Sequence, residues 1–136
     1  MIQIIAGKKG SGKTKRLIDM TNATAAESHS DVVFLDDDNS YMFDIDRKVR
    51  FVNAADYHAH TPDMFIGFLG GMLSQNFDIG TVFIDAFTRL CKTELSKAGS
   101  LFDAMNELSE KHGVNFVLSV SADVSELPEF MQKYVI

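Results

Sequence analysis

The chain has 136 residues, with 13 lysines and arginines against 19 aspartates and glutamates, so its formal net charge is −6. With 46% hydrophobic and 24% charged residues, it has the composition of an ordinary globular domain, which excludes a disordered, collagenous or coiled-coil chain. The length predicts one domain over residues 1–136. A single cysteine, Cys91, excludes an internal disulfide and a multi-cysteine zinc cluster.

The same features bear on location and partners. No apolar run approaches the ~20 residues of a membrane span, and the start of the chain lacks the basic lead of a secretory signal. We therefore expect a cytoplasmic protein with no membrane partner. The acidic balance also disfavours nucleic acid as a partner, because a phosphate backbone would need a local basic patch.

Short apolar runs predict buried strands that alternate with segments of helical spacing. The strands are predicted at residues 2–6, 31–36, 80–85 and 114–120. Apolar and polar residues also alternate in 41–45 and 49–52, which predicts a hairpin or two short edge strands. Strands separated by helices are typical of a three-layer α/β fold, here a mainly parallel sheet of about five strands with helices on both faces.

Helices are predicted between these strands, at about residues 13–28, 62–75, 87–95, 100–112 and 125–134. Thr61 is a suitable N-cap with Pro62 at the first helical position, and Ser100–Asp103 fits a capping box. Gly113 is a helix stop. The stripe of phenylalanine, methionine and leucine in residues 64–73 is assigned to the core.

One sequence motif indicates a phosphate-binding site. Residues Gly7-Lys8-Lys9-Gly10-Ser11-Gly12-Lys13-Thr14 match G-x-x-x-x-G-K-[ST], between a predicted strand and a predicted helix. Glycines let several backbone N–H groups approach a phosphate chain, and the helix start adds free N–H groups and the positive end of its dipole. We expect Gly7–Lys15 to hold the phosphates of a nucleoside triphosphate. Lys13 would reach the β- and γ-phosphates, and the Thr14 hydroxyl would bind Mg²⁺.

An acid at the end of a buried strand is the second candidate. Asp85 directly follows the run Thr81–Ile84. Ligands of open α/β sheets bind at the carboxyl ends of strands, so we expect Asp85 to hold Mg²⁺ together with Thr14. The alternative is an acid that only caps the following helix.

At these residues the chain resembles the P-loop NTPase superfamily, and Thr81–Asp85 resembles its Walker B strand. The resemblance implies binding of ATP or GTP with Mg²⁺, with Lys13 and Asp85 as catalytic residues. Many ATPases of that superfamily have a glutamate after this aspartate to polarise the attacking water, but this chain has Ala86. The whole chain also resembles a group of small bacterial ATP-binding proteins, some of them labelled twitching-motility ATPases, over residues 7–20, 33–39 and 83–85.

Substitutes for the missing glutamate have to come from elsewhere. The candidates are the acids that follow the second strand (Asp36, Asp37, Asp38), together with Arg89, Ser119 and Ser121. Each has a structural alternative: the acids, with Asp44 and Asp46, also fit a solvated acidic face. His58 and His60 are too few to define a metal site, and Cys91 on an apolar helix face is expected to be a small buried side chain.

Three hypotheses follow. The first is an ATP- or GTP-binding domain that hydrolyses slowly, or only when a protein partner or a second subunit completes the site. The second is a small nucleoside or nucleotide kinase with an acid among residues 36–38 as general base. The third is a non-catalytic, nucleotide-sensing regulatory module whose 41–52 segment meets a partner.

Overall fold

The computed structural model describes residues 1–136, and its centre is one five-stranded sheet in which every pair of neighbouring strands is parallel. The strands are β1 (Ile2–Gly7), β2 (Asp31–Asp36), β3 (Arg50–Asn53), β4 (Ile79–Ile84) and β5 (Asn115–Ser121). Their order across the sheet is β1-β5-β4-β2-β3, so β1 and β3 are its edges. The predicted α/β class and the strand number are confirmed.

Five α-helices connect or follow the strands: α1 (Lys13–Glu27), α2 (Pro62–Gln75), α3 (Phe87–Cys91), α4 (Gly99–His112) and α5 (Glu129–Gln132). Single 3₁₀ turns lie at Met42–Asp44, Ala54–Tyr57, Leu95–Lys97 and Val124–Glu126. None of the helices combines the length and the apolar character that crossing a membrane requires.

The helices cover both faces of the sheet, as predicted. Successive side chains of a strand point to opposite faces, and in β4 Phe83 joins one apolar cluster while its neighbours Val82 and Ile84 join another. The first cluster includes Leu17 and Ala25 of α1. The second, larger cluster is built mainly from α2, α3 and α4 against the other face.

Two helix boundaries follow the sequence signals. The Thr61 hydroxyl accepts the N–H of Met64 at 3.2 Å, with Pro62 at the first position of α2. Gly113 ends α4 with a φ of 65°, a left-handed conformation that glycine adopts without the clash of a Cβ. The predicted capping box of α4 is wrong. The helix starts at Gly99, no side chain caps it, and Ser100 lies inside its first turn, because the turn Leu95–Lys97 leads directly into the helix.

Of the hairpin or two short edge strands predicted at 41–45 and 49–52, one edge strand is confirmed, as β3. The hairpin is wrong, because residues 41–45 form no strand and β3 pairs in parallel with β2. The preceding segment lies against α1, where Asn22 donates to the carbonyl of Asp44 at 3.0 Å and accepts the N–H of Asp46 at 2.8 Å. Ile45 is buried among the residues of the α1 cluster, so the apolar spacing reflects loop packing against a helix.

The assignment of residues 64–73 to the core holds for one face of α2. Phe65, Leu69 and Leu73 are buried, whereas Phe68 and Met72 are half-buried and Met64 is exposed. The half-buried side chains border an open groove.

Candidate functional site

The loop between β1 and α1 has the backbone that its glycines permit. Gly10 and Gly12 have φ values of 84° and 86°, in the left-handed region that L side chains rarely adopt. A Cβ on Gly7 would collide with the side chain of Ser11. The backbone therefore favours glycine at positions 10 and 12, and glycine at position 7 leaves room for the Ser11 side chain.

The start of α1 is a region of positive electrostatic potential. Gly12 is its N-cap residue, so no side chain caps the helix, and its first turn contains no acidic residue. The N–H groups of a first turn have no partner within the helix, and the positive end of the dipole lies there. Lys13, Lys15 and Arg16 add further positive charge at the same place. This end of the helix favours an anion.

The Lys13 side chain lies across the loop. The residue is 8% exposed, and its Nζ donates to the carbonyl of Lys8 at 3.0 Å, a carbonyl that also accepts the N–H of Ser11 at 3.1 Å. An ammonium group has three donors, so this bond leaves two. No carboxylate pairs with the Lys13 amine.

Asp85 lies beside the start of α1, although β4 is separated from β1 by β5. The Thr14 hydroxyl donates to Asp85 Oδ2 at 3.1 Å, and the Ser119 hydroxyl donates to Oδ1. Ser119 in turn accepts the N–H of Ala86 at 3.0 Å. Asp85 is 4% exposed. The hydroxyl groups of Thr14 and Ser119 are the hydrogen-bond donors that its buried carboxylate has within the protein.

A divalent cation that prefers oxygen ligands matches this donor set. The hydroxyl of Thr14 and the carboxylate of Asp85 are already adjacent, and neither a thiol nor an imidazole lies among the residues of the cleft. Hydroxyl, carboxylate and water oxygens are the ligands that Mg²⁺ prefers, whereas zinc favours sulfur and nitrogen. Thr14 and Asp85 could therefore hold Mg²⁺.

A cleft of about 840 Å³ opens over these groups. Of the residues predicted for the site, those on the cleft are Lys9, Gly10, Gly12, Lys13, Thr14, Lys15 and Asp85. Gly7, Lys8 and Ser11 do not line it, although Lys8 and Ser11 are exposed. Arg89, Ser119 and Ser121, named as secondary candidates, are on the cleft.

Four further polar residues line the cleft that were not predicted as site residues: Asp19, Asn22, Tyr41 and Asp44. Tyr41 and Asp44 belong to the segment that packs on α1. Spacing within the chain could not place them there, because the contact depends on the tertiary hydrogen bonds of Asn22.

The predicted solvated face is confirmed for the exposed Asp38, Asp44 and Asp46, whereas Asp37 is half-buried and Asp36 is buried. Asp36 is 1% exposed; its Oδ1 accepts the N–H of Asp37 at 2.8 Å and its Oδ2 has no partner. Burial raises the pKa of Asp36 to about 7, and the nearby charge of Asp85 adds to that effect. Asp36 does not line the cleft.

Asp37 and Asp38 are engaged elsewhere. Asp37 is bound by Arg89, which lowers the pKa of the carboxyl group and raises the pKa of the guanidinium. Asp38 accepts the N–H of Ser40 at 2.9 Å. None of the three acids is thus a free, exposed base facing the cleft.

The remaining candidates behave as structural residues. The rings of His58 and His60 lie 6.0 Å apart, and no third metal-ligating side chain joins them. Cys91 is buried as expected, and burial raises the pKa of its thiol to about 12, which keeps it protonated and unreactive.

A scan against models of protein families found no family that matches this chain, and a search of curated proteins found no match either.

Proposed function

We propose that this protein binds a nucleoside triphosphate, preferentially ATP, together with Mg²⁺ in the cleft above the 7–15 loop. The protein then hydrolyses the nucleotide slowly unless a partner completes the site. In this proposal the sheet and loop are those of a P-loop NTPase, and the protein works in the cytoplasm. The observation that carries it is an uncapped helix start, free of acidic residues, that opens into a cleft lined by Lys13, Thr14 and Asp85.

The phosphate chain would lie at the start of α1. Its free N–H groups and dipole favour negative charge, and the two unused donors of Lys13 can bind phosphate oxygens without breaking a salt bridge. The cleft volume of about 840 Å³ lies within the ~300–1,000 Å³ range of small-molecule sites.

Thr14 and Asp85 would hold the cation. Bound there, Mg²⁺ would neutralise charge on the phosphate oxygens. Ser119 would keep the Asp85 carboxylate oriented, because its hydroxyl donates to that carboxylate and is itself fixed by the N–H of Ala86.

Slow turnover follows from the lack of a general base held in position. Ala86 carries no proton acceptor where many ATPases of the P-loop superfamily have glutamate. Asp36 lies off the cleft, and the carboxylate of Asp19, which lines it, pairs with Lys15 at 2.9 Å. Asp44 also lines the cleft, but it is exposed, and Asn22 holds its backbone carbonyl rather than its carboxylate. A water attacking the last phosphate would therefore lack a positioned general base of the kind that typically contributes 10²–10⁴-fold.

The same observations disfavour a nucleoside or nucleotide kinase. That reaction needs an acid beside the acceptor hydroxyl, and the three acids after β2 are buried, paired with Arg89 or bound to backbone. Phosphate transfer that appears only when a nucleoside or nucleotide acceptor is added would favour the kinase over the slow NTPase.

The test is calorimetric titration with ATP and GTP, with and without Mg²⁺. We expect Lys13→Ala to weaken Mg²⁺-dependent binding at least tenfold, equivalent to ~1.4 kcal/mol. Lys8→Ala is the matched control: it removes a lysine of the same loop whose side chain is exposed and off the cleft, and it keeps the carbonyl. Equal affinity of wild type and Lys13→Ala would rule out the proposed site.

A further inference from the structure

A second cleft, larger than the first, lies at the free edge of the sheet. It has a volume of about 1350 Å³ and runs beside β3, between α2 and the segment 42–48. Its apolar lining includes Phe51, Phe68 and Met72. The volume exceeds the ~300–1,000 Å³ typical of small-molecule sites, so the groove has room for a chain segment.

The strand beside this groove has an unused edge. β3 pairs with β2 and with no other strand, so the outward N–H and C=O groups of Arg50–Asn53 have no strand partner. An extended peptide can add to such an edge through main-chain hydrogen bonds, with alternate side chains in flanking pockets. The groove supplies those pockets on both sides of β3.

The walls of the groove leave room and offer an anchor. Gly67 and Gly71 lie one helical turn apart on α2, and a Cβ on either would meet no atom within 4 Å. On the opposite wall Phe43 is 92% exposed, so its ring is open to contact with a bound chain. The hydrogen bonds of Asn22 hold that wall in place.

The charges of the groove select the occupant. Arg47, Lys48 and Arg50 line it and form no salt bridge, in a protein with a net charge of −6. The lining also holds two aspartates, Asp46, which accepts the N–H of Lys48, and Asp31, which accepts the side chain of Asn76, so three cations against two carboxylates leave it a net charge of +1. A second copy docking edge to edge would bring the same three cations together, since a two-fold interface uses one patch twice.

We infer that the groove along β3 is a docking site for an extended, acidic segment of a partner protein, which adds to the sheet as a sixth strand. Its acidic residues meet Arg47, Lys48 and Arg50, and its alternate apolar residues fill the space beside Gly67 and Gly71. This site is separate from the nucleotide cleft, so its test does not depend on nucleotide binding.

The probe is a fluorescein-labelled nine-residue peptide that alternates glutamate and valine, followed by fluorescence anisotropy without nucleotide. A second peptide has lysine in place of every glutamate. We expect saturable binding of the acidic peptide that is at least tenfold tighter than binding of the basic one. We also expect slower amide hydrogen exchange at residues 50–53 when the acidic peptide is bound.

Matched variants locate the site. Arg50→Glu should weaken binding at least fivefold, whereas Lys111→Glu makes the same charge change on an exposed residue of α4 and should leave it within twofold. Gly71→Gln should abolish binding by filling the groove, whereas Ser74→Gln on the same helix should not. Both helix substitutions are expected to fold, because Gly71 is exposed with open space around it and Ser74 is exposed.

Three results would overturn the inference. Absence of binding of the acidic peptide up to about 1 mM would mean that the cations only guard a free edge against aggregation. Equal binding of both peptides would remove the charge argument. Self-association of the protein in sedimentation that Gly71→Gln abolishes would identify a second copy as the occupant.

Discussion

The carboxylate of Asp37 accepts two hydrogen bonds from the guanidinium of Arg89, Nε to Oδ2 and Nη2 to Oδ1, each 2.9 Å long. The pair joins the carboxyl end of β2 to α3, which follows β4. This geometry leaves Nη1 free, and Arg89 lines the nucleotide cleft. Arg89 can therefore donate to a bound anion while Asp37 fixes the plane of its guanidinium.

Arg89 is accordingly expected to contribute to phosphate binding. Arg89→Met and Arg89→Lys should each weaken ATP binding about fivefold, or ~1 kcal/mol, because lysine cannot bind Asp37 bidentately and also present a planar donor to the cleft. The side chain is 65% exposed, so the free energy of unfolding should change by less than about 1 kcal/mol. Calorimetric titration and urea unfolding measure the two quantities; wild-type affinity in Arg89→Met would contradict the role.

The stability of the protein should depend on the protonation of Asp36. Burial raises its pKa to about 7, from an ordinary value near 4, so between those pH values the folded state holds a proton that the unfolded state has released. The free energy of unfolding should therefore fall as pH rises through this window, by at most about 1.4 kcal/mol per pH unit, and level off above it.

The control for this titration is Asp36→Asn, which cannot ionise. We expect a flatter stability profile between pH 4.5 and 7.5 when urea unfolding is measured at several pH values. Asp37, whose pKa is lowered by Arg89, contributes stability that is lost only as the pH falls below about 4, outside this window. Parallel profiles of wild type and Asp36→Asn would show that Asp36 does not titrate there.

Local sequence patterns correctly predicted most of the strands and helices that pack in the hydrophobic core. The strand containing Val82–Ile84 and the helix beginning at Pro62 follow from apolar spacing and capping chemistry, which act within a few residues. The hairpin prediction failed because Asn22 draws the 42–46 segment onto α1, a long-range contact that leaves no trace in local alternation.

The site shows the same division. The phosphate-loop motif and the position of Asp85 at the end of a strand predicted that Lys13, Thr14 and Asp85 lie together, since parallel strands end at one edge of the sheet. In the structure all three line one cleft. The burial of Asp36 was missed, because an acid inside a run of acids has the sequence pattern of a solvated surface. The sequence did not predict Tyr41 at the cleft either, because its segment is placed by the long-range hydrogen bonds of Asn22.

Magnesium dependence should identify the role of Asp85. Without Mg²⁺ its carboxylate repels the polyphosphate, so Asp85→Asn should bind free ATP several-fold more tightly than wild type. With Mg²⁺ the same variant loses a ligand and should bind ATP more weakly, so the substitution reverses its effect. Titrations with and without the metal measure both affinities. Asp19→Asn, a neutralised carboxylate elsewhere in the cleft, should not show this reversal.

Ala86 has a φ of 51° and a ψ of 44°, a left-handed conformation that costs a residue with a Cβ about 1–2 kcal/mol. Ala86→Gly should therefore raise the free energy of unfolding by about 0.5–1 kcal/mol, the relief of strain being partly offset by a more flexible unfolded chain. Ala104→Gly, inside α4, is the opposite control and should lower it by about 1 kcal/mol. The N–H of residue 86 still donates to Ser119, so nucleotide affinity should stay within twofold. Equal destabilisation by both substitutions in urea unfolding would mean that Ala86 is not strained.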